Sequence, residues 1–297
     1  ISSKANKKVF LNLLKESNGN INHLISNKDI KQIRNHKRFS GLIIEDLNNC
    51  KKTEIKKISF LKSKGLKIFE LIEWCQIYLE ILPPELIDNK YLIRKEFRII
   101  RPSLHSRIKR VCDVIVGLII LFLSSPIILI ASLVIYLEDR GPILFYQKRV
   151  GFNGKEIRIW KLRSMRVDAE KIGLKWTNNN DTRITKFGKL IRKFKIDELP
   201  QICSVISGEM SLIGPRPREI NSEKEYENSI INYSFRYKMK PGISGWAQVN
   251  YPQVISVNDA KKTLAYDIYY ILNFSIFLDL LIFFKTMQIV FTAKQKN

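Results

Sequence analysis

KLIRKFKIDELPQICSVISGEMSLIGPRPR, Lys189 to Arg218, is the stretch around which the rest of the chain is organised. Two adjacent acids, Asp197 and Glu198, follow a basic segment carrying Lys189, Arg192, Lys193 and Lys195 and precede a short apolar run. An acid at such a boundary accepts backbone N–H bonds, so Asp197 is expected to cap a helix that tolerates Pro200 in its first turn and stops at Gly208. The helix N-terminus and Arg192 are expected to keep this carboxylate ionised, below the pKa of a free aspartate. The same N-terminus is a natural seat for phosphate. Alone, an Asp-Glu pair is more often an ordinary cap beside a solvated neighbour. Its company adds weight: Gly214-Pro215-Arg216-Pro217 is a rigid turn presenting an arginine, and Pro241-Gly242-Ile243-Ser244-Gly245-Trp246 is a second stiff loop.

Three runs carry a resemblance: IDELPQICSVISGEMSLIGPRP, KPGISGWAQVNYP and LAYDIYYILNFSIFLDL. In this order they resemble the bacterial sugar transferase family, the monotopic phosphoglycosyl transferases that begin exopolysaccharide, O-antigen and capsule synthesis, over about residues 106–293. The resemblance implies transfer of a sugar-1-phosphate from a UDP-sugar to polyprenyl (undecaprenyl) phosphate, with release of UMP. It implies Asp197 as covalent nucleophile and Mg2+ held by Glu198 with Asp197. Arg192, Lys161, Arg163 and Arg216 would bind phosphate, and Asp267, in Leu-Ala-Tyr-Asp-Ile-Tyr-Tyr, matches an acid that faces the active site. The family commonly continues Gln-Val-Asn with Gly-Arg, where this chain has Tyr251-Pro252, and some branches read Asn-Tyr-Pro.

Outside these runs, 297 residues with 45% hydrophobic content allow two domains and a sizeable core. A net charge of +23, from 51 Lys+Arg against 28 Asp+Glu, points to a polyanionic partner: nucleic acid, an anionic membrane surface or phosphorylated substrates. Cys50, Cys75, Cys112 and Cys203 form no CxxC pair, and His23, His36 and His105 supply no metal-ligand spacing, so the cysteines read as reduced and structural. The chain opens on Ile1 without a signal sequence and is expected to be processed or part of something longer.

Residues 1–95 read as a partial Rossmann-like α/β domain, truncated at its start: a strand at Gly41–Ile44, a Lys-rich helix near Lys51–Lys64 and a strand at Leu66–Phe69. No GxGxxG follows either strand, so a regulatory or structural role is expected in place of dinucleotide binding. Larger members of the resembled family carry a similar domain, preceded by transmembrane helices.

Residues 96–297 are expected to form a mainly α, membrane-associated α+β catalytic domain. A cationic connector (Arg98, Arg101, Arg107, Lys109, Arg110) leads to 24 uncharged residues, Val114–Leu137, enough to cross a hydrocarbon core of about 30 Å. Arg140, Lys148 and Arg149 flank the far end, so the positive-inside rule assigns both ends to one side. Proline at 126 removes a helix bond, and Ser124 and Ser125 can recapture the freed carbonyl. A re-entrant helix over about 108–137, broken at Ser125-Pro126, fits both facts. The resembled family has this feature, with Arg110 and Asp113 tying the helix to the interface on the cytoplasmic face of the bacterial inner membrane.

A hairpin is expected from Gly141–Gln147 and Ile157–Leu162, ending in Lys161-Leu162-Arg163, whose two cations would share one face. Asn178–Arg183 is a polar loop of open role, and Glu219–Lys240 is charged, helical and aromatic-rich without assigned chemistry. Leu264–Thr292 reads as one or two amphipathic helices lying at the interface. Inner-membrane lipids, UDP-sugar, polyprenyl phosphate and a second copy in a homodimer are the expected partners. The long apolar segment argues against a nucleic-acid binder, and the acid pair among cations argues against a non-catalytic basic surface protein.

Overall fold

A computed structural model describes residues 41–44, 47, 50–87, 91, 104–167, 169, 181–251 and 254–292. Expectations for residues 1–40, for the connector over 96–103 and for Asn178–Asn180 lie outside these. The chain divides into two compact units, residues 1–95 and 96–297.

In the first unit β1 (Gly41–Ile44) pairs in parallel with β2 (Lys67–Glu70), and α1 (Lys52–Ser63) lies between them in sequence. Parallel neighbours need a crossover, and the Lys-rich helix supplies it by burying only Ile58 and Leu61 while its lysines stay in water. Leu61 and Leu66 pack with Leu42, and Leu71, Trp74 and Cys75 pack with Ile43 and Phe69. Burial pushes the Cys75 thiol up to about 12, so it behaves as an apolar core residue. The expected strand–helix–strand order is present; among the described residues this sheet has two strands.

The second unit is mainly helical. It opens with α2 (Leu104–Asp139), 36 residues with Pro126 inside. Its buried positions, Lys109, Asp113, Gly117, Ser124, Ala131 and Ile135, recur at spacings of four or seven and form one stripe along the helix. Gly117 lets the helix approach α4 (Ile202–Ser207) until an added Cβ would lie 3.5 Å from Ile206. Outside the stripe, Leu118, Phe122, Leu123, Leu129 and Ile130 are exposed, a patch that water does not tolerate and lipid does. The helix assignment runs through Ser125-Pro126, where the proline removes one backbone bond, the usual cause of a bend in the axis. The carbonyl of Phe122, which loses its partner to proline, accepts a 2.8 Å bond from Ser125 Oγ, so the helix keeps its hydrogen bonding.

After α2 comes the hairpin of β3 (Leu144–Val150) and β4 (Glu156–Leu162), in register from Leu144 opposite Leu162 to Val150 opposite Glu156. Next come α3 (Lys186–Lys193), a 3-10 turn at Ile196–Gln201, then α4 and β5 (Ser211–Ile213). Beyond β5 lie α5 (Ile220–Ser229), a second 3-10 turn at Tyr233–Lys238, β6 (Gly242–Ser244), α6 (Trp246–Asn250), α7 (Val257–Leu272) and α8 (Ile276–Phe291). β5 and β6 pair in parallel and join Ile213, Met239, Trp246, Tyr270, Ile271, Phe274 and Ile282 in one core.

This core corrects the reading of the tail. There are two helices, but α7 buries Leu264, Ala265, Ile268, Tyr270 and Ile271 inside the protein. Only α8 presents an apolar face, with Phe277, Leu280 and Phe284 exposed. Asp267 and the aromatic run around it belong to the core because α7 is apolar on more than one face.

Candidate active site

The acid pair is placed by an unusual junction. Thr185 caps α3 by accepting a 2.8 Å bond from the Gly188 amide, and α3 ends at Phe194. Lys195 then adopts a left-handed conformation, φ 58°, and is itself the N-cap of the 3-10 turn. Asp197 is therefore inside the first turn and is not the cap expected from the sequence. One helix passes into the next through a single left-handed residue, which leaves no extended position for a capping acid. A non-glycine residue held this way costs about 1–3 kcal/mol, and such strain collects at functional sites. The helix does stop at Gly208, φ 93°, where a side chain would be strained and an added Cβ would lie 3.2 Å from the Arg110 guanidinium. Arg110 closes that end by donating to the carbonyls of Val205 (2.5 Å) and Ile206 (2.6 Å).

The two acids have opposite electrostatics. Glu198 Oε1 accepts from Lys161 Nζ at 3.1 Å and from Arg216 Nη2 at 2.8 Å. Burial alone would raise its carboxyl, but Arg216 and Lys161 outweigh burial and hold it well below the usual range. Asp197 is 8% exposed and its Oδ1 has no hydrogen-bond partner. Burial, then the neighbouring Glu198 charge, raises its pKa against the pull of Lys161, Lys195 and Arg192. This reverses the expected direction. The helix N-terminus does not solvate the carboxylate, because its amides are not bonded to it, and desolvation wins. Arg192 reaches the site from the end of α3 with its Nε bonded to Ser164 Oγ at 2.7 Å.

Two of the expected residues lie elsewhere. Arg163 does not share a face with Lys161, because β4 ends at Leu162 and the alternation of side chains ends with it. Its guanidinium pairs with Asp139 and donates to the Ile135 carbonyl at 3.3 Å, fastening the end of α2. Asp267 meets Arg236 at 3.2 Å in a buried cluster with Glu223 and Tyr233, apart from the acid pair. Burial pushes the Asp267 carboxyl up to about 6 in spite of Arg236 and Arg218. Asp113 is buried and accepts from Ser211 Oγ (2.8 Å) and the Leu212 amide (3.2 Å), so it ties α2 to β5. Ser125 and Pro126 lie on α2 as described.

Two positions were hard to see in the sequence: Lys195 stood out only as one of the cations before the acid pair, and Arg236 not at all. The first carries no signal beyond being a lysine at a helix junction. The second is one cation among the many of Glu219–Lys240, and only folding shows it to be 3% exposed.

Among the described residues no cluster of three or more His, Cys, Asp and Glu side chains could hold a metal alone. Two adjacent carboxylates, one with a buried unpartnered oxygen, do fit Mg2+, which takes one or two carboxylates and completes its shell with water and substrate phosphates.

The family described as "Bacterial sugar transferase" matches residues 104–293. The UDP-N-acetylgalactosamine-undecaprenyl-phosphate N-acetylgalactosaminephosphotransferase of Aeromonas hydrophila is 42% identical over 190 residues, 64% of this chain and 45% of that protein. The UDP-glucose:undecaprenyl-phosphate glucose-1-phosphate transferase of Klebsiella pneumoniae is 41% identical over 60% of this chain and 39% of its own length. The chain thus spans less than half of each of these two. The exopolysaccharide production protein PSS of Rhizobium leguminosarum bv. phaseoli is 39% identical over 61% of this chain and 93% of its own length.

Proposed function

Because the chain belongs to the bacterial sugar transferase family, matched over residues 104–293, we propose that it transfers a sugar-1-phosphate from a UDP-sugar to polyprenyl phosphate. The product is a polyprenyl-diphosphate-sugar, the first lipid-linked intermediate of an exopolysaccharide, O-antigen or capsule, and the by-product is UMP. The observation that carries the reading is the acid pair: Asp197 buried with a free oxygen, beside Glu198 clamped by Lys161 and Arg216.

The geometry supports a two-step route. An Asp197 carboxylate oxygen attacks the sugar-bearing phosphorus, the bond to the bridging oxygen breaks, and UMP leaves with that oxygen and the electron pair. A phosphate oxygen of the polyprenyl phosphate then attacks the same phosphorus and releases Asp197 as carboxylate. Arg216, Lys161 and Arg192 surround the acids and would offset the charge that gathers on the phosphoryl oxygens. Glu198, kept ionised by two cations, and Asp197 would together hold Mg2+, which neutralises phosphate charge when bound. Asp197 keeps one oxygen, Oδ1, without a hydrogen bond, so that oxygen is open for the attack. A basic surface protein without catalysis leaves this arrangement unexplained.

We further propose that α2 is re-entrant. Lys109, near its start, is bonded to Asp279 at 2.7 Å, and Arg110 to α4, while Asp139 at its end pairs with Arg163. Ala131 and Ile135 pack on Leu162 and Ile191 of the same unit. A spanning helix would put these ends on opposite sides of a core about 30 Å thick. Cysteines at the exposed Arg107 and Arg140 are therefore expected to be labelled from one side only, the cytoplasm of intact cells. A label gained by one of them from outside would make the helix a true span. The first unit is read as a Rossmann-like regulatory or structural domain.

Membranes containing the chain, given polyprenyl phosphate, magnesium and a panel of UDP-sugars, are expected to release UMP with one or a few of them. Chelation by EDTA is expected to stop release and added magnesium to restore it. Absence of UMP across the panel would refute the reading.

A further inference from the structure

The loop that carries Arg216 has few ways to be held. Pro215 and Pro217 have no N–H to give, so the loop is fixed through its flanking glycine and its carbonyls. Gly214 N donates to Ser244 O at 2.8 Å, and Pro215 O accepts from Gly242 N at 2.9 Å. The approach is close enough that a Cβ on Gly214 would lie 2.4 Å from the Lys240 carbonyl. Beyond Pro215, the Arg216 carbonyl accepts from Arg236 Nη2 at 2.7 Å. The Arg216 side chain leaves the loop toward Glu198.

Arg236 is built in as few surface arginines are. Its Nη1 donates to Glu223 Oε1 at 3.0 Å and to the Tyr233 hydroxyl at 2.6 Å, and its Nη2 lies 3.2 Å from Asp267. Tyr237 donates to the other Glu223 oxygen at 2.7 Å. Arg236, Glu223 and Asp267 are each 3% exposed or less. Burying this cluster is costly, and a core could be filled by apolar side chains with less loss. What a fixed guanidinium provides that an apolar residue cannot is a donor for the Arg216 carbonyl.

We propose that Arg236 is a positioning residue, which anchors the Gly214–Pro217 loop so that Arg216 meets Glu198; this rests on the catalytic reading given above. Arg236 touches neither acid of the pair and acts through the backbone of Arg216. Glu223, Tyr233 and Asp267 aim Arg236.

The test is a double-mutant cycle on the full chain in membranes, read as kcat/KM for UMP release. Arg236→Lys keeps the charge but loses the fork that reaches two acids and a carbonyl at once. It is expected to lower kcat/KM at least about tenfold in the wild-type background and less than about twofold when Arg216 is already alanine. A merely structural residue would give equal losses in both backgrounds, and that result overturns the proposal, as does full activity of the single variant. Should Arg236→Lys lose its cooperative thermal transition, Tyr233→Phe, which removes one of the groups aiming Arg236, takes its place in the same cycle with the same criterion. A wild-type chain that releases no UMP would overturn the catalytic reading and this proposal together, a result distinct from an additive cycle in an active enzyme.

Discussion

Asp197→Asn is expected to lose UMP release by about 10⁴-fold or more while folding normally. Asparagine has nearly the same shape, so the packing of the 3-10 turn survives, but an amide oxygen cannot form the phosphosugar adduct. The stability of this variant separates the account from a structural role for the acid. In the folded chain burial and Glu198 raise the Asp197 pKa above its usual 3.8, so the folded state holds this proton more tightly than the unfolded state. The ionised carboxylate therefore costs stability. The cost is absent below the unfolded value and complete above the folded one. Asp197→Asn is expected to melt higher than wild type at neutral pH, with the difference closing as pH falls below the usual aspartate range. An acid that capped a helix would give no such gain, since asparagine caps about as well. A lower melting temperature at neutral pH, or turnover close to wild type, would remove Asp197 from the mechanism.

Arg216→Ala is expected to cost about 10²-fold in kcat/KM, the size of effect seen when one preorganised charge-stabilising donor is removed. It also strips Glu198 of the largest of its opposing cations and leaves Lys161 and Lys195 against burial. The depressed carboxyl should move up, so the acid limb of the pH profile is expected to rise. A carboxyl held low in the fold contributes stability above its unfolded pKa and loses it as pH falls through the folded value. The variant is therefore expected to be less stable than wild type at neutral pH and closer to it in acid. Arg163→Ala makes the contrast, because Arg163 fastens Asp139 and the Ile135 carbonyl: it is expected to loosen the end of α2 and lower stability without moving the acid limb. Limbs that move in the Arg163 variant and stay fixed in the Arg216 variant would reverse the two assignments.

Local chemistry made much of this legible from the residues. The hairpin of β3 and β4 follows from apolar alternation around a Gly-Phe-Asn-Gly turn, and the βαβ order of the first unit from two apolar runs around a Lys-rich helix. The Asp-Glu pair stood out because acids among phosphate-type cations are unusual. What could not be read was decided by tertiary contacts. Whether Asp197 capped a helix depended on the conformation of Lys195, which its side chain does not announce. The direction of its pKa depended on burial, which outweighed three cations. Arg163 and Asp267 looked like site residues because they lie in motifs that hold the site, and each is engaged in holding other elements together. The tail looked interfacial because apolar clusters alternate with Asp267, Asp279 and Lys285 along it, and only packing against Trp246 and Ile213 makes α7 the inner helix.

The central claim, that Asp197 carries the sugar phosphate covalently, is tested most directly by omitting the acceptor. The full chain in membranes is incubated with magnesium and a UDP-sugar labelled in the sugar, without polyprenyl phosphate, then quenched, digested and mapped. Label and the mass of one sugar phosphate are expected on the peptide containing Asp197, with one UMP released per adduct, loss of the label on adding polyprenyl phosphate or hydroxylamine, and none of it in Asp197→Asn. An adduct on another residue, or UMP release that begins only when polyprenyl phosphate is present and leaves the protein unlabelled, would contradict it.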